Sequence, residues 1–151
     1  LPKAVGYGQD LAARESMLLA SCMAGMAFSS AGLGLCHAMA HQPGATLHIP
    51  HGQANAMLLP TVMGFNRMVC RERFSHIGRA LTNKKSDDRD AISAVSDLIN
   101  EVGQTKRLSD VGAKPEHYSA WAHAALEDIC IRSNPRTATQ AQIIDLYAAA
   151  G

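Results

Sequence analysis

The sequence predicts an all-α fold, and three observations carry that expectation. Alanine, the strongest helix former, supplies 25 of the 151 residues. Phe, Tyr and Trp, which favour strands, make up only 5%. No stretch alternates apolar and polar residues for long enough to read as a strand, and there is no internal repeat or low-complexity tract. The length suits one domain of about 100–200 residues. With 14 Lys+Arg against 13 Asp+Glu, the net charge of +1 makes no long-range field. Neither nucleic acid nor an anionic membrane is therefore an expected partner. A hydrophobic share of 47% beside 18% charged residues excludes disorder.

Taken in order, Asp10 caps a helix from Leu11 to about Phe28. Its small residues Ala20, Ala24, Gly25 and Ala27 suit close approach by a neighbour, which marks it as a buried, central helix. The nearly apolar stretch Met17 to Phe28 lies within it, short of the roughly 20 residues that cross a bilayer. A short helix from about Leu33 to His41 is expected to stop at Pro43-Gly44, followed by a loop from Gln42 to Gly52. The next helix runs from about Gln53 to Arg67, with Pro60 positioned to kink or split it, and continues from Arg71 to Leu81. Thr82-Asn83-Lys84-Lys85 breaks it, and Ser86 caps a helix with Ile92, Val95, Leu98, Ile99 and Val102 on one side and Gly103 at its end. Lys106 to Gly112 reads as a turn anchored by Leu108 and Val111. Pro115 opens a helix reaching about Ile131, Asn134-Pro135-Arg136 breaks the chain, and Thr137 or Thr139 caps a last helix carrying Ile143, Ile144, Leu146 and Tyr147.

Between Arg67 and Arg89, seven basic residues (Arg67, Arg71, Arg73, Arg79, Lys84, Lys85, Arg89) face three acids (Glu72, Asp87, Asp88). With no aromatics interleaved, this reads as a solvated helix face rather than a phosphate site. Cys22, Cys36, Cys70 and Cys130 are widely spread without a CxxC pair, as expected of thiols in a reducing, cytoplasmic compartment. No basic segment leads into an apolar one at the start, so no secretory signal is expected. The first residues are Leu1-Pro2 rather than Met, which leads us to expect a piece of a longer protein.

The chemistry is concentrated between Gly34 and Gly52, where His37, His41, His48 and His51 fall within fifteen residues. Imidazole is the commonest biological metal ligand, and His37 and His41 stand four apart, on one face of a helix. A third or fourth histidine carried back by the following loop would complete a divalent-metal site. Histidines buried this close together are hard to keep neutral without a metal or hydrogen-bond partners. His37-Ala38-Met39-Ala40-His41 lacks the Glu of an HExxH hydrolase, and neither Gly6-Tyr7-Gly8 nor Gly32-Leu33-Gly34 extends to a dinucleotide-binding fingerprint.

The run Gly32-Leu33-Gly34-Leu35-Cys36-His37-Ala38-Met39-Ala40-His41, followed by Ile49-Pro50-His51-Gly52-Gln53-Ala54-Asn55-Ala56-Met57-Leu58-Leu59-Pro60 and Phe65-Asn66, resembles the histidine signature of the iron-dependent (group III) alcohol dehydrogenases. Asp128, Cys130, Asn134-Pro135-Arg136 and the closing Ile143 to Ala148 segment are similar to that family's C-terminal end. The resemblance implies a dehydroquinate-synthase-like fold, in which residues 1–151 form a single helical metal-binding domain and a nucleotide-binding α/β domain precedes it. It implies that His37 and His51 are metal ligands, completed by an Asp and a His upstream of Leu1, and that His41 lies near the nicotinamide and substrate and serves in proton transfer. His48 takes no role by resemblance and is expected to be a loop histidine near the cleft. The implied cofactors are Fe(II), with Zn(II) as the substitute, and NAD(P). The implied partners are a small alcohol and its aldehyde, ethanol and acetaldehyde foremost, and a second copy in a homodimer. A departure is His41-Gln42-Pro43-Gly44, where many relatives have His-Pro-aliphatic-Gly. With two of four ligands, the chain alone is expected to bind metal weakly, to lack dehydrogenase activity and to expose an apolar face. The rival reading is a non-catalytic helical metal-binding or docking module built on His37, His41, His48 and His51; metal-dependent hydrolysis would need a carboxylate base, and none lies in the motif.

Overall fold

In a computed structural model, which describes residues 1–84 and 87–151, the helix α3 (Leu35–Leu47) lies at the centre of the core. Its Leu35, Cys36, Ala38, Met39, Ala40 and Pro43 are all buried. Around it pack the first half of α4 (His51–Thr82), α6 (Pro115–Glu127) and α7 (Gln140–Ala150), and two 3-10 turns, Ser109–Val111 and Ile129–Ser133. The remaining helices are α1 (Pro2–Gly6), α2 (Leu11–Ala31) and α5 (Asp90–Glu101). Among the described residues no strand occurs, as the composition predicts.

Helix α3 runs six residues beyond the expected stop. Pro43 lies inside it, and a proline there removes the N–H that would bond the carbonyl four residues back, at Met39. The hydroxyl of Tyr147 on α7 donates to that carbonyl at 2.7 Å, both groups being buried. Burial against α7 thus replaces the bond that the proline removes, and the helix continues to Leu47, where His48 closes it in the left-handed conformation at φ 55°. The expected loop from Gln42 to Gly52 shrinks to His48–Pro50.

The start of α3 is held from far along the chain. Asn134 accepts from the Leu35 N–H (3.1 Å), and the Gly34 N–H donates to the Cys130 carbonyl (2.9 Å). Asn134 and Asn66 on α4 exchange amide hydrogen bonds at 2.9 Å in both directions, and Arg136 donates to the Phe65 carbonyl (2.6 Å) with its guanidinium 3.9 Å over the Phe65 ring. Gly32 has φ 77°, and a Cβ there would run into the Ser133 side chain. Both the positive φ and the close approach require glycine at that position.

Helix α4 passes through Pro60 and breaks instead at Cys70, whose φ −126°, ψ 19° is non-helical. Around this break, Met63, Cys70 and Phe74 enclose Ala91 of α5 in a second small core, flanked by Ile92 and Val95. Asn83 ends α4 in the left-handed region, close to the expected break. The expected Ser86 cap, like Lys85, lies outside the described residues. The basic run is partly an internal latch, since Asp88 sits 2.7 Å from Arg67 and 3.8 Å from Arg71. Downstream, Pro115 opens α6, which ends at Glu127 rather than near Ile131 because Asp128 is extended (ψ 131°) and caps the following 3-10 turn. Thr139 and Gln142 form a capping box at the start of α7.

Helix α2 corrects the reading of a buried central helix. It is capped by Asp10 as expected, yet none of its residues is buried; Leu18, Met23 and Met26 are 73%, 60% and 70% exposed. Among the described residues, the one element that packs extensively on α2 is the short α1. No single helix among the described residues is long and apolar enough to cross a membrane.

Candidate metal centre

Helix α3, the chain reversal after it and the start of α4 build the site. His37 and His41 stand one turn apart on the face of α3 that its buried residues leave free, as their spacing predicts. The turn His48-Ile49-Pro50 reverses the chain, buries Ile49 and delivers His51 as the first residue of α4. His51 therefore comes from a helix start rather than from a loop. The three rings converge: His37 to His51 is 5.2 Å between ring centres, His41 to His51 is 5.4 Å and stacked, and His37 to His41 is 6.3 Å edge-on. His48 makes none of these ring contacts; its αL conformation serves the chain reversal.

The spacing tests whether a divalent ion fits. With metal–nitrogen distances of about 2.0–2.1 Å, two imidazoles at a near-tetrahedral angle have ring centres roughly 5 Å apart. The His37–His51 pair meets that requirement, and imidazole donors suit both Fe(II) and Zn(II). Burial lowers the His37 pKa below the ordinary histidine value, and the nearby His51 and His41 lower it further against the opposing pull of Asp128. A neutral imidazole is the form that ligates a metal. Beside His51, Asn55 donates to the His51 carbonyl (3.0 Å) and its amide nitrogen lies 3.2 Å from Nε2, while its Oδ1 is buried without a hydrogen-bond partner.

His41 is engaged differently. Its Nδ1 is 2.7 Å from Oδ2 of Asp128, the residue between α6 and the 3-10 turn. Asp128 Oδ1 accepts from the Cys130 backbone N–H at 2.8 Å, and the Cys130 thiol lies near the carboxylate. Burial raises the Asp128 pKa, but the bonds from His41 and Cys130 outweigh it and hold the carboxyl below its ordinary value. The Cys130 thiol is pushed up by burial and by the carboxylate beside it. Potential ligand atoms of His41, Asp128 and Cys130 all lie within 4.8 Å of one another.

The structure thus gathers His37, His41 and His51 and leaves His48 aside. Sequence reasoning gave Asp128 and Asn55 no function, although both lie inside the quoted motifs. Asp128 is 87 residues from His41, and no local spacing links them. Asn55 stands one helical turn after His51, a spacing that does carry a signal.

Comparison with known proteins follows the same outline. The family model described as "Fe-containing alcohol dehydrogenase family, C-terminal" matches residues 1–151. A probable alcohol dehydrogenase, EutG, of Salmonella typhimurium is 91% identical over 151 residues, covering all of this chain and 38% of its own length. The lactaldehyde reductase of Escherichia coli is 43% identical over 144 residues, 91% of this chain and 38% of that protein. Among solved structures, a 1,3-propanediol oxidoreductase superposes with a TM-score of 0.97 at 37% identity, covering 99% of this chain and 41% of the other. The chain therefore spans about 38% of the length of the curated relatives it matches.

Proposed function

Because this chain belongs to the Fe-containing alcohol dehydrogenase family, we propose that it is the helical, metal-facing domain of an NAD(P)-dependent alcohol dehydrogenase of the kind used in bacterial ethanolamine utilisation. The substrate pair is a small primary alcohol and its aldehyde, ethanol and acetaldehyde first among them. The observation that carries this reading is the convergence of the His37, His41 and His51 rings at one end of α3 and α4. A nucleotide-binding domain preceding this one supplies the remaining ligands and the nicotinamide, and the complete enzyme is a cytoplasmic homodimer.

His37 and His51 hold the metal. When bound, the divalent ion, Fe(II) or Zn(II), polarises the substrate oxygen while the nicotinamide exchanges a hydride with the carbon. His37 is kept neutral by burial and by its two histidine neighbours, so its nitrogen lone pair is available at neutral pH. Asn55 fixes the His51 ring against the first turn of α4. His41 takes the hydroxyl proton during alcohol oxidation and returns it during aldehyde reduction. Met39 and Leu35, buried on the opposite face of α3, keep that helix from rotating the histidines out of register.

The test joins this chain to the preceding part of the Salmonella relative and measures NADH-dependent acetaldehyde reduction with added Fe(II). Turnover that is lost in His37→Ala and His51→Ala together with bound metal is the expected result. The 151-residue chain alone shows none. Tight metal binding by the chain alone that needs His48 would support the rival reading of a non-catalytic metal-binding module, and turnover by the chain alone would overturn its expected inactivity.

A further inference from the structure

We propose that Asp128 is a positioning residue for His41, fixing the ring in its Nδ1–H tautomer so that Nε2 is the nitrogen left to meet the substrate. The role given to His41 rests on the reading above; the tautomer is a property of this chain's own residues.

Three observations carry the inference. The first is the 2.7 Å contact between His41 Nδ1 and Asp128 Oδ2, with the carboxylate side chain only 16% exposed. A carboxylate is an acceptor only, so Nδ1 must carry the proton; the other tautomer would set two acceptors face to face. The second is that Asp128 is aimed independently of His41. It ends α6, where its N–H donates to the Ala124 carbonyl (3.1 Å), and caps the next turn, where Oδ1 takes the Cys130 N–H. Oδ2 is thereby left directed at His41. The third is that His41 belongs to α3 and Asp128 to the α6 junction, so the bond fixes the ring against a second element of the core and not against a neighbour on its own helix.

The proton balance follows from that arrangement. During alcohol oxidation the substrate O–H bond breaks and its proton passes to the Nε2 lone pair, while the Nδ1 proton stays between the ring and Oδ2. The resulting imidazolium faces the Asp128 carboxylate, and Nε2 gives the proton to solvent to reset the ring. An imidazole in the opposite tautomer presents Nε2–H and has no lone pair for this step.

Long-range nitrogen–proton NMR on the ¹⁵N-labelled chain at pH 8 reads the tautomer directly. The expected result is a protonated Nδ1 and an unprotonated Nε2 for His41. Asp128→Asn keeps the Cys130 cap but turns an amide N–H toward the ring, and it should reverse the assignment to Nε2–H. Asp128→Glu tests rescue by a carboxylate. In the chain joined to the preceding part of the Salmonella relative, Asp128→Asn should lower kcat by about 10²-fold or more with KM and metal content nearly unchanged. An Nε2–H tautomer in the unsubstituted chain, or a tautomer indifferent to Asp128→Asn, overturns the proposal, and so does an unchanged kcat in the joined enzyme. If the unsubstituted joined protein shows no dehydrogenase turnover while the tautomer behaves as stated, it is the functional reading that fails.

Discussion

The hydroxyl of Tyr147 donates to the carbonyl of Met39, the one acceptor in α3 that Pro43 leaves without its helical partner. Two residues 108 apart thus close a gap in the central helix. Tyr147→Phe keeps the ring's packing and removes only the donor, and should cost about 1–3 kcal/mol in urea unfolding. In a Pro43→Ala background the backbone N–H at position 43 returns, and the cost should shrink. Equal costs in both backgrounds would refute the link between the tyrosine and the proline.

Asn134 satisfies the Leu35 N–H at the start of α3 and the Asn66 amide on α4 at once. Asn134→Ala should destabilise by at least the ~1 kcal/mol typical of a lost helix cap. Its signature in hydrogen exchange should be faster opening at Leu35 than at the centre of α6. Gly32→Ala, strained by a φ of 77° and crowded by Ser133, should destabilise the same junction.

Acid should weaken the contact between α3 and the end of α6. The Asp128 carboxyl is held below its unfolded value, so it contributes stability above the unfolded pKa of about 3.9 and loses it as pH falls through the folded value. The stability difference between the unsubstituted chain and Asp128→Asn should shrink as the pH falls below about 4. A difference that grows in that acid range would reverse the assigned sign.

The thiols should separate by reactivity. Cys22 is exposed on α2, Cys36 is buried with its pKa pushed up to about 12, and Cys70 is buried in the second core. Alkylation at pH 8 followed by peptide mapping should modify Cys22 first and Cys36 only on unfolding. Rapid modification of Cys36 in the folded chain would contradict its burial.

The exposed face of α2 should make the chain associate with itself. Leu11, Leu18, Leu19, Met23 and Met26 are all exposed on a single helix, which forms a continuous apolar strip. Sedimentation should show concentration-dependent association that Leu18→Lys with Met26→Lys reduces. A monomer at every concentration would contradict this.

The helical class, the caps at Asp10 and Thr139, the Pro115 start and the four-residue spacing of His37 and His41 were legible because each follows from local propensity or helical periodicity. Burial of α2 was misread because an apolar, alanine-rich helix has the same sequence whether or not its partner belongs to the chain. The end of α3 was misread because a proline's cost depends on whether a distant donor replaces the missing bond. His51 joining His37 was expected from resemblance, whereas the Asp128 contact with His41 had no local signal at all.

By itself, then, the sequence determined the helical class, the caps at Asp10 and Thr139 and that four histidines crowd one segment, since these depend on neighbours within a turn or two. Only the tertiary structure decided which three histidines meet, which acid faces His41 and which helix continues through its proline. Those outcomes depend on groups 87 and 108 residues away, whose approach is set by packing around α3 and leaves no spacing in the chain to read.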